Sequence, residues 1–275
     1  MLIFSVDDEL CTRCRKCVDD CPSRIIEQKD NDLPLIPTDK EMYCIQCQHC
    51  LAVCPTAAVS ILGKNPYDSM VISSDKLPRL ESMIRLIRGR RSVRQYKDEN
   101  VDNDLIGKLL HTLANAPSGV NSHKLTFRLI GNKEVMHRIR EKVLAELQVA
   151  VDTGRIPGQF AYLINAVPAF KEQGRDILFR DAPHALIISA SPDAACPDED
   201  VTLALAYFEL LAQSAGLGTV WWGMLKMFLE SLPELKPLFG VPAGHAYYGM
   251  LFGLPNVTYQ RTVQRDDAAR IVRIE

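Results

Sequence analysis

Eight of the nine cysteines in this chain fall between Cys11 and Cys54, and they fall there twice in one rhythm. Cys11, Cys14 and Cys17 are separated by two residues each, Cys21 follows, and Pro22 comes directly after it. With an offset of 33 residues the pattern recurs as Cys44, Cys47, Cys50 and Cys54, closed by Pro55. Four cysteines and a proline preserved at one offset make an internal repeat. A segment so rich in thiols and so poor in large apolar side chains has few ways to fold. Whatever the thiols bind must serve as core, which couples binding to folding.

The spacing points to iron–sulfur clusters. Three cysteines at two-residue intervals can wrap one corner of a cubane, while a fourth followed by proline is carried across to the neighbouring cluster. The run therefore predicts crossed ligation, with Cys11, Cys14, Cys17 and Cys54 on one [4Fe–4S] cluster and Cys44, Cys47, Cys50 and Cys21 on the other. Zinc also uses C-x-x-C pairs, but two separated pairs leave the third cysteine and the Cys-Pro step of each run without a purpose. A disulfide framework needs an oxidising compartment. The first sixty or so residues resemble a bacterial two-[4Fe–4S] ferredoxin. Asn31, Asp32, Pro34 and Pro37 between the runs have the chemistry of a surface hairpin.

At 275 residues the chain has room for more than this unit. Its net charge of -2 gives no electrostatic reason to expect nucleic acid or an anionic membrane as partner. The longest apolar stretch, Val201 to Leu229, is broken by Glu209, Gln213 and Lys226 and is not expected to span a membrane. The first ten residues, MLIFSVDDEL, are acidic and do not read as a signal peptide. A reducing cytoplasm is the expected setting. We expect a cluster domain over 1–62, a linker rich in Gly, Ser and Pro over 63–79, and a second domain over 80–275.

The second domain opens with a helical pattern from Leu80, with Met83, Ile84 and Ile87 on one face, running into RGRRSVRQY. Arg90, Ser92 and Arg94 alternate, so an extended backbone would place all three on one side. Two guanidinium groups and a hydroxyl so placed make a phosphate clamp; the same residues also suit a solvated helix end. Asp102 is a candidate N-cap for the next helix, followed by the loop NAPSGVNS and the strand Thr126 to Gly131.

This order of arginine-serine pair, helix, Pro-Ser-x-x-Asn loop and strand resembles the opening of the FMN-dependent nitroreductase family, and the likeness continues to the C-terminus. Asn132 to Val151 reads as a long helix and Asp181 to Ala190 as a buried strand. Asp198 to Gly218 resembles the family's central helix, Gly218 to Leu225 its strand past the flavin, and HAYYGMLFGLP its last strand. The resemblance implies an α+β chain, a ferredoxin-like unit followed by a nitroreductase-type sandwich with a mixed or antiparallel sheet between helices. It implies FMN bound at the interface of a homodimer. Arg90, Ser92 and Arg94 would hold its phosphate, ribityl chain and one edge of the ring. Arg261 would add a phosphate contact, with Tyr259 standing where the family often has lysine. Pro117, Ser118, Gly119 and Asn121 would approach from the other subunit, and Gly223 and Met224 would face the flavin N5. No catalytic acid is assigned. The implied activity is an iron–sulfur flavoprotein oxidoreductase: an external low-potential donor of the ferredoxin kind feeds the clusters, the clusters feed FMN, and FMN reduces a small nitroaromatic, quinone or enone by two-electron or hydride transfer. A non-catalytic redox carrier, an NAD(P)H-dependent enzyme, or a specialised reductase such as a dehalogenase are the competing readings. The segment Ala150 to Gly174, weakly periodic and containing glycine and proline, is the candidate lid, with Phe160, Tyr162 and Phe170 as substrate contacts.

Overall fold

The computed structural model describes residues 2–265 and 268–274. It divides into two compact units, Met1–Pro78 with Val120–Ser122, and Arg79–Gly119 with His123–Glu275.

In the first unit the strand β1 (Phe4–Val6) pairs antiparallel with β2 (Val59–Ile61), Ser5 standing opposite Ser60. One short helix lies in each cysteine run, α1 (Lys16–Asp19) and α2 (His49–Ala52). The sequence repeat extends to the backbone. Arg13, Arg15, Arg24 and Asp30 all have left-handed φ, and so do their equivalents Gln46, Gln48, Ala57 and Gly63. A non-glycine residue in that region costs about 1–2 kcal/mol. Arg13 and Arg15, like Gln46 and Gln48, lie within the C-x-x-C loops, which their left-handed φ curls tightly. Between the runs a bridge from Glu27 to Leu35 and a turn closed by Asp32 N–H on Lys29 O form the expected hairpin. Ile25, Ile26, Leu51, Val59 and Ile61 are buried with Cys17 and Cys50, so this unit has a small apolar core of its own beside the thiols.

In the second unit α3 (Leu80–Gly89) precedes α4 (Asn103–Thr112), which Asp102 caps by accepting the N–H groups of Asp104 at 2.6 Å and Leu105 at 3.3 Å. Then come β3 (Leu125–Ile130), α5 (Lys133–Asp152, capped by Asn132), α6 (Ala166–Gln173) and β4 (His184–Ala190). The chain ends its regular structure with α7 (Pro197–Ser214), β5 (Gly218–Trp221), α8 (Gly223–Ser231) and β6 (Ala246–Gly253). The sheet is antiparallel in the order β3-β4-β6-β5, and Ser92 adds a parallel bridge to Thr219 at the β5 edge.

β4 is buried on both faces, and its alternation splits the core into two layers. Leu186, Ile188 and Ala190 join Val201, Leu205 and Phe208 of α7, whereas Ala185 and Ile187 join Val143 and Leu147 of α5 and Phe228 of α8. The result is the α+β sandwich expected from sequence.

Two expectations change. The strand expected to run to Leu225 stops at Trp221, because Trp222 turns inward, donating its indole N–H to Leu178 O at 2.8 Å and its backbone N–H to Gly249 O. Leu225, Phe228 and Leu229 then recur with helical spacing and take the chain into α8. The candidate lid is in part core: Leu163, Ala166, Val167 and Ala169 are buried, and Phe160 and Phe170 pack against them. Only Tyr162 among its three aromatic residues is exposed.

Candidate cluster and cofactor sites

Each set of four cysteines lines its own cavity. Cys11, Cys14, Cys17 and Cys54 surround one, together with Thr12, Pro34 and Pro55. Cys21, Cys44, Cys47 and Cys50 surround the other, with Ile26, Ile36 and Ile61. Three thiols of each set come from one run and the fourth from the other. Among the described residues no three His, Cys, Asp or Glu side chains converge as a single ion requires. Four thiols spaced around a cavity suit a bulky cluster.

Backbone amides already point at the sulfurs. Ala58 N–H donates to Cys54 Sγ at 3.2 Å and Gln46 N–H to Cys44 Sγ at 3.4 Å. The Cys14 thiol is held below its ordinary pKa by a backbone hydrogen bond from Lys16, helped by the Thr12 side chain. Burial pushes Cys17 and Cys44 up, and Cys50 up to about 12. Buried thiols of that kind become thiolates when positive metal charge is at hand. The donor chemistry and the shape of both cavities fit iron–sulfur clusters.

The residues expected around FMN fall into four groups. Arg94, Gly223 and Met224 line one cavity of about 440 Å³, walled by Val220, Trp221, Trp222, Met227 and Leu251. That size and apolar lining are those of a small-molecule site. Gly223 and Met224 occupy the first turn of α8, where N–H groups have no carbonyl partner within the helix. Arg94 reaches the cavity because Val93 beside it is buried and its N–H bonds Thr219 O at 2.8 Å, which pins the extended segment to β5.

Arg90 and Ser92 lie on the same segment but outside that lining. Ser92 forms the bridge to Thr219, and Arg90 Nη1 donates to Glu209 Oε1 at 3.0 Å. The loop Pro117, Ser118, Gly119 and Asn121 does not line the cavity of this chain. Ser118 Oγ accepts His123 N–H, and Gly119 N–H donates to Asp200 Oδ1 at 2.8 Å. A side chain at Gly119 would meet Ala195 and Cys196 at 3.0 Å, so the loop lies tight against the start of α7. Asn121 groups with the first unit. Arg261 is exposed and outside the cavity.

The sequence reading missed three polar residues here. Glu209 and Asp200 are buried acids on α7, and each holds a part of the expected site. For Glu209 a charge within an apolar run was the available signal; Asp200 is masked by Asp198 and Glu199 beside it in the first turn. The third, Arg180, joins Arg94 in the cavity lining. It stands with Asp181 in a turn where both have left-handed φ, 55° and 53°. The buried Asp176 holds this turn: Oδ1 accepts the N–H groups of Leu178 and Phe179, Oδ2 accepts that of Asp181, and Arg140 Nε lies 2.8 Å from Oδ2. Two left-handed residues cost about 1–2 kcal/mol each, which this buried network offsets.

Residues 87–254 match the profile of the Nitroreductase family, and residues 10–59 match that of a 4Fe-4S dicluster domain. The chain is 26% identical over 175 residues to the FMN reductase [NAD(P)H] of Bacillus subtilis, covering 60% of this chain and 66% of that one. It is 35% identical over 85 residues to the iodotyrosine deiodinase of Danio rerio, covering 30% of this chain and 29% of the deiodinase. It thus spans less than a third of the deiodinase and just under two thirds of the reductase. A solved nitroreductase with bound FMN from Desulfitobacterium hafniense superposes with a TM-score of 0.53 at 23% identity, over 69% of this chain and 97% of that one. At that identity the likeness is one of fold.

Proposed function

The chain belongs to the nitroreductase family and carries a 4Fe–4S dicluster domain ahead of it, and from that pairing we propose an FMN-dependent oxidoreductase supplied with electrons through its own two [4Fe–4S] clusters. The observation that carries this reading is the cavity in which Arg94 and the first turn of α8 meet a wall of Val220, Trp221 and Trp222. When bound, the clusters move single electrons and FMN delivers pairs of them to a small organic acceptor of the nitroaromatic, quinone or enone class.

The chain's own residues bind and orient. Arg94 lines the cavity with a cation that would hold one edge of the flavin, and the N–H groups of Gly223 and Met224 at the start of α8 would donate to its N5. Glu209 holds the Arg90 guanidinium near the β5 edge, from which Arg90 and Ser92 would hold the phosphate and ribityl chain. Tryptophan and methionine side chains keep water from the ring face. Pro117, Ser118, Gly119 and Asn121 complete the site from a second subunit, and Arg261 reaches the phosphate in the assembled dimer. Leu80, Ile84 and Ile87 form an exposed apolar stripe on α3, and Ile271, Val272 and Ile274 are exposed on the tail. Surfaces of this kind suit a homodimer interface. Eight free thiols in one small unit suit a reducing compartment, and no helix among the described residues is long and apolar enough to cross a membrane.

The donor proposed is an external ferredoxin-type protein. Anaerobic purification should give iron, sulfide and one FMN per chain, and stopped-flow mixing should show fast flavin reduction by reduced ferredoxin. Fast reduction by NADPH with none by ferredoxin would refute the electron route while leaving the flavin assignment intact.

A further inference from the structure

The cavity assigned to FMN holds a cation that the proposed chemistry does not use. Arg180 lines it beside Arg94, Trp221 and Met224. Arg180 is half-buried as a residue and, among the described residues, its guanidinium has no hydrogen-bond or ion-pair partner. No acidic side chain lines the cavity. Its place is built: the Asp176 carboxylate, itself buried and paired with Arg140, gathers three backbone N–H groups and fixes the left-handed turn from which Arg180 projects.

A guanidinium in an apolar pocket without a counter-charge leaves its desolvation uncompensated until an anion arrives. Arg94 already has a use at the flavin edge and donates to Ser92 O at 3.2 Å. We infer that Arg180 is a specificity-determining residue that receives an anionic group, a carboxylate or comparable oxyanion, on the organic acceptor. The inference rests on the flavin reading above and narrows it: the preferred acceptor is a flat, apolar, electron-accepting body with one negative group. A planar guanidinium fork suits that partner better than a lysine would, because it can pair both carboxylate oxygens at once.

The test compares 4-nitrobenzoate with nitrobenzene on the full chain carrying FMN and clusters, using a chemically reduced viologen as donor. The wild type should favour nitrobenzoate in kcat/KM by about tenfold, one charge-assisted pairing, mainly through KM. Arg180→Met should abolish that preference, and Arg180→Lys should restore part of it. Benzoate, which cannot be reduced, should perturb the flavin spectrum of the wild type and of Arg180→Lys at concentrations that leave Arg180→Met unchanged. FMN titrations should give the same Kd within about twofold for all three proteins. A weakened FMN Kd in Arg180→Met would make Arg180 a cofactor ligand and overturn the inference, as would an unchanged preference or a wild type that favours neither compound. Absence of FMN from the wild type would refute the flavin reading itself and this inference with it.

Discussion

Arg90 and Glu209 stand 119 positions apart in sequence, yet Nη1 of the arginine lies 3.0 Å from Oε1 of the glutamate. The glutamate is nearly buried on α7 and the arginine is about a quarter exposed. Glu209→Ala should therefore cost about 2 kcal/mol, below the 3–5 of a fully buried pair because water still reaches the guanidinium. It should also weaken FMN by about tenfold, through the loss of a charge-assisted bond that orients Arg90. Thermal melts with and without added FMN measure both. Unchanged FMN affinity would remove Arg90 from the flavin site.

Cys21 lines the cavity of the second run although it belongs to the first. Cys21→Ser should cut iron from about eight to about four atoms per chain. Anaerobic iron and sulfide assays read the result directly, and full retention of iron would show that Cys21 is not a ligand.

Gly218 leaves no room for a side chain. A Cβ there would stand 2.7 Å from Val93 Cγ1, on the segment that carries Arg90, Ser92 and Arg94. Gly218→Ala should push that segment off the β5 edge, lowering stability by about 1–3 kcal/mol and loosening FMN. Chemical denaturation and flavin fluorescence titration together test the link, and a loss of stability with normal flavin binding would break it.

His184 is buried, and its Nε2 accepts Val101 N–H at 2.9 Å, a role that requires the neutral ring. Burial holds its pKa below the ordinary value, with Glu134 a weaker opposing influence. The unfolded chain thus binds a proton that the folded chain refuses. The stability due to this group is complete above the unfolded pKa near 6.5 and is lost as pH falls below it toward the folded value. The melting temperature of the second unit should drop more steeply between about pH 6.5 and 5 in the wild type than in His184→Gln. Parallel slopes would rule out His184 as the cause.

The repeat of the cysteine unit and its hairpin were legible because both are local, whereas its small apolar core of Ile25, Ile26, Leu51, Val59 and Ile61 was not. The doubled pattern of left-handed residues at Arg13, Arg15 and their equivalents follows from loops that must wind around a metal cluster. The helices with Asp102 and Asn132 as caps, and the buried strand β4, were equally legible from local chemistry. The turn at Trp222 was not, because it depends on Leu178 O and Gly249 O, brought there by tertiary packing. Leu163 and Val167 read as lid residues for the same reason: a 3-10 turn and a helix of eight residues are too short for periodicity to announce that they are core. Arg180 was invisible because nothing near it in sequence marks the turn as left-handed.

The order of strands in the two sheets bears on how the chain is made. β1 and β2 are both synthesised by Ile61, so the cluster unit can close its sheet early. β6, by contrast, lies between β4 and β5 and is the last strand to leave the ribosome. Until Gly253 emerges, β4 and β5 share no hydrogen-bonded neighbour, and the strand edges that face β6 wait unpaired. Domains fold as units during synthesis, N-terminal first. Iron loading can therefore be finished before a flavin pocket exists, and a nascent chain starved of its final strand would present two unpaired strand edges in the middle of its sheet to chaperones.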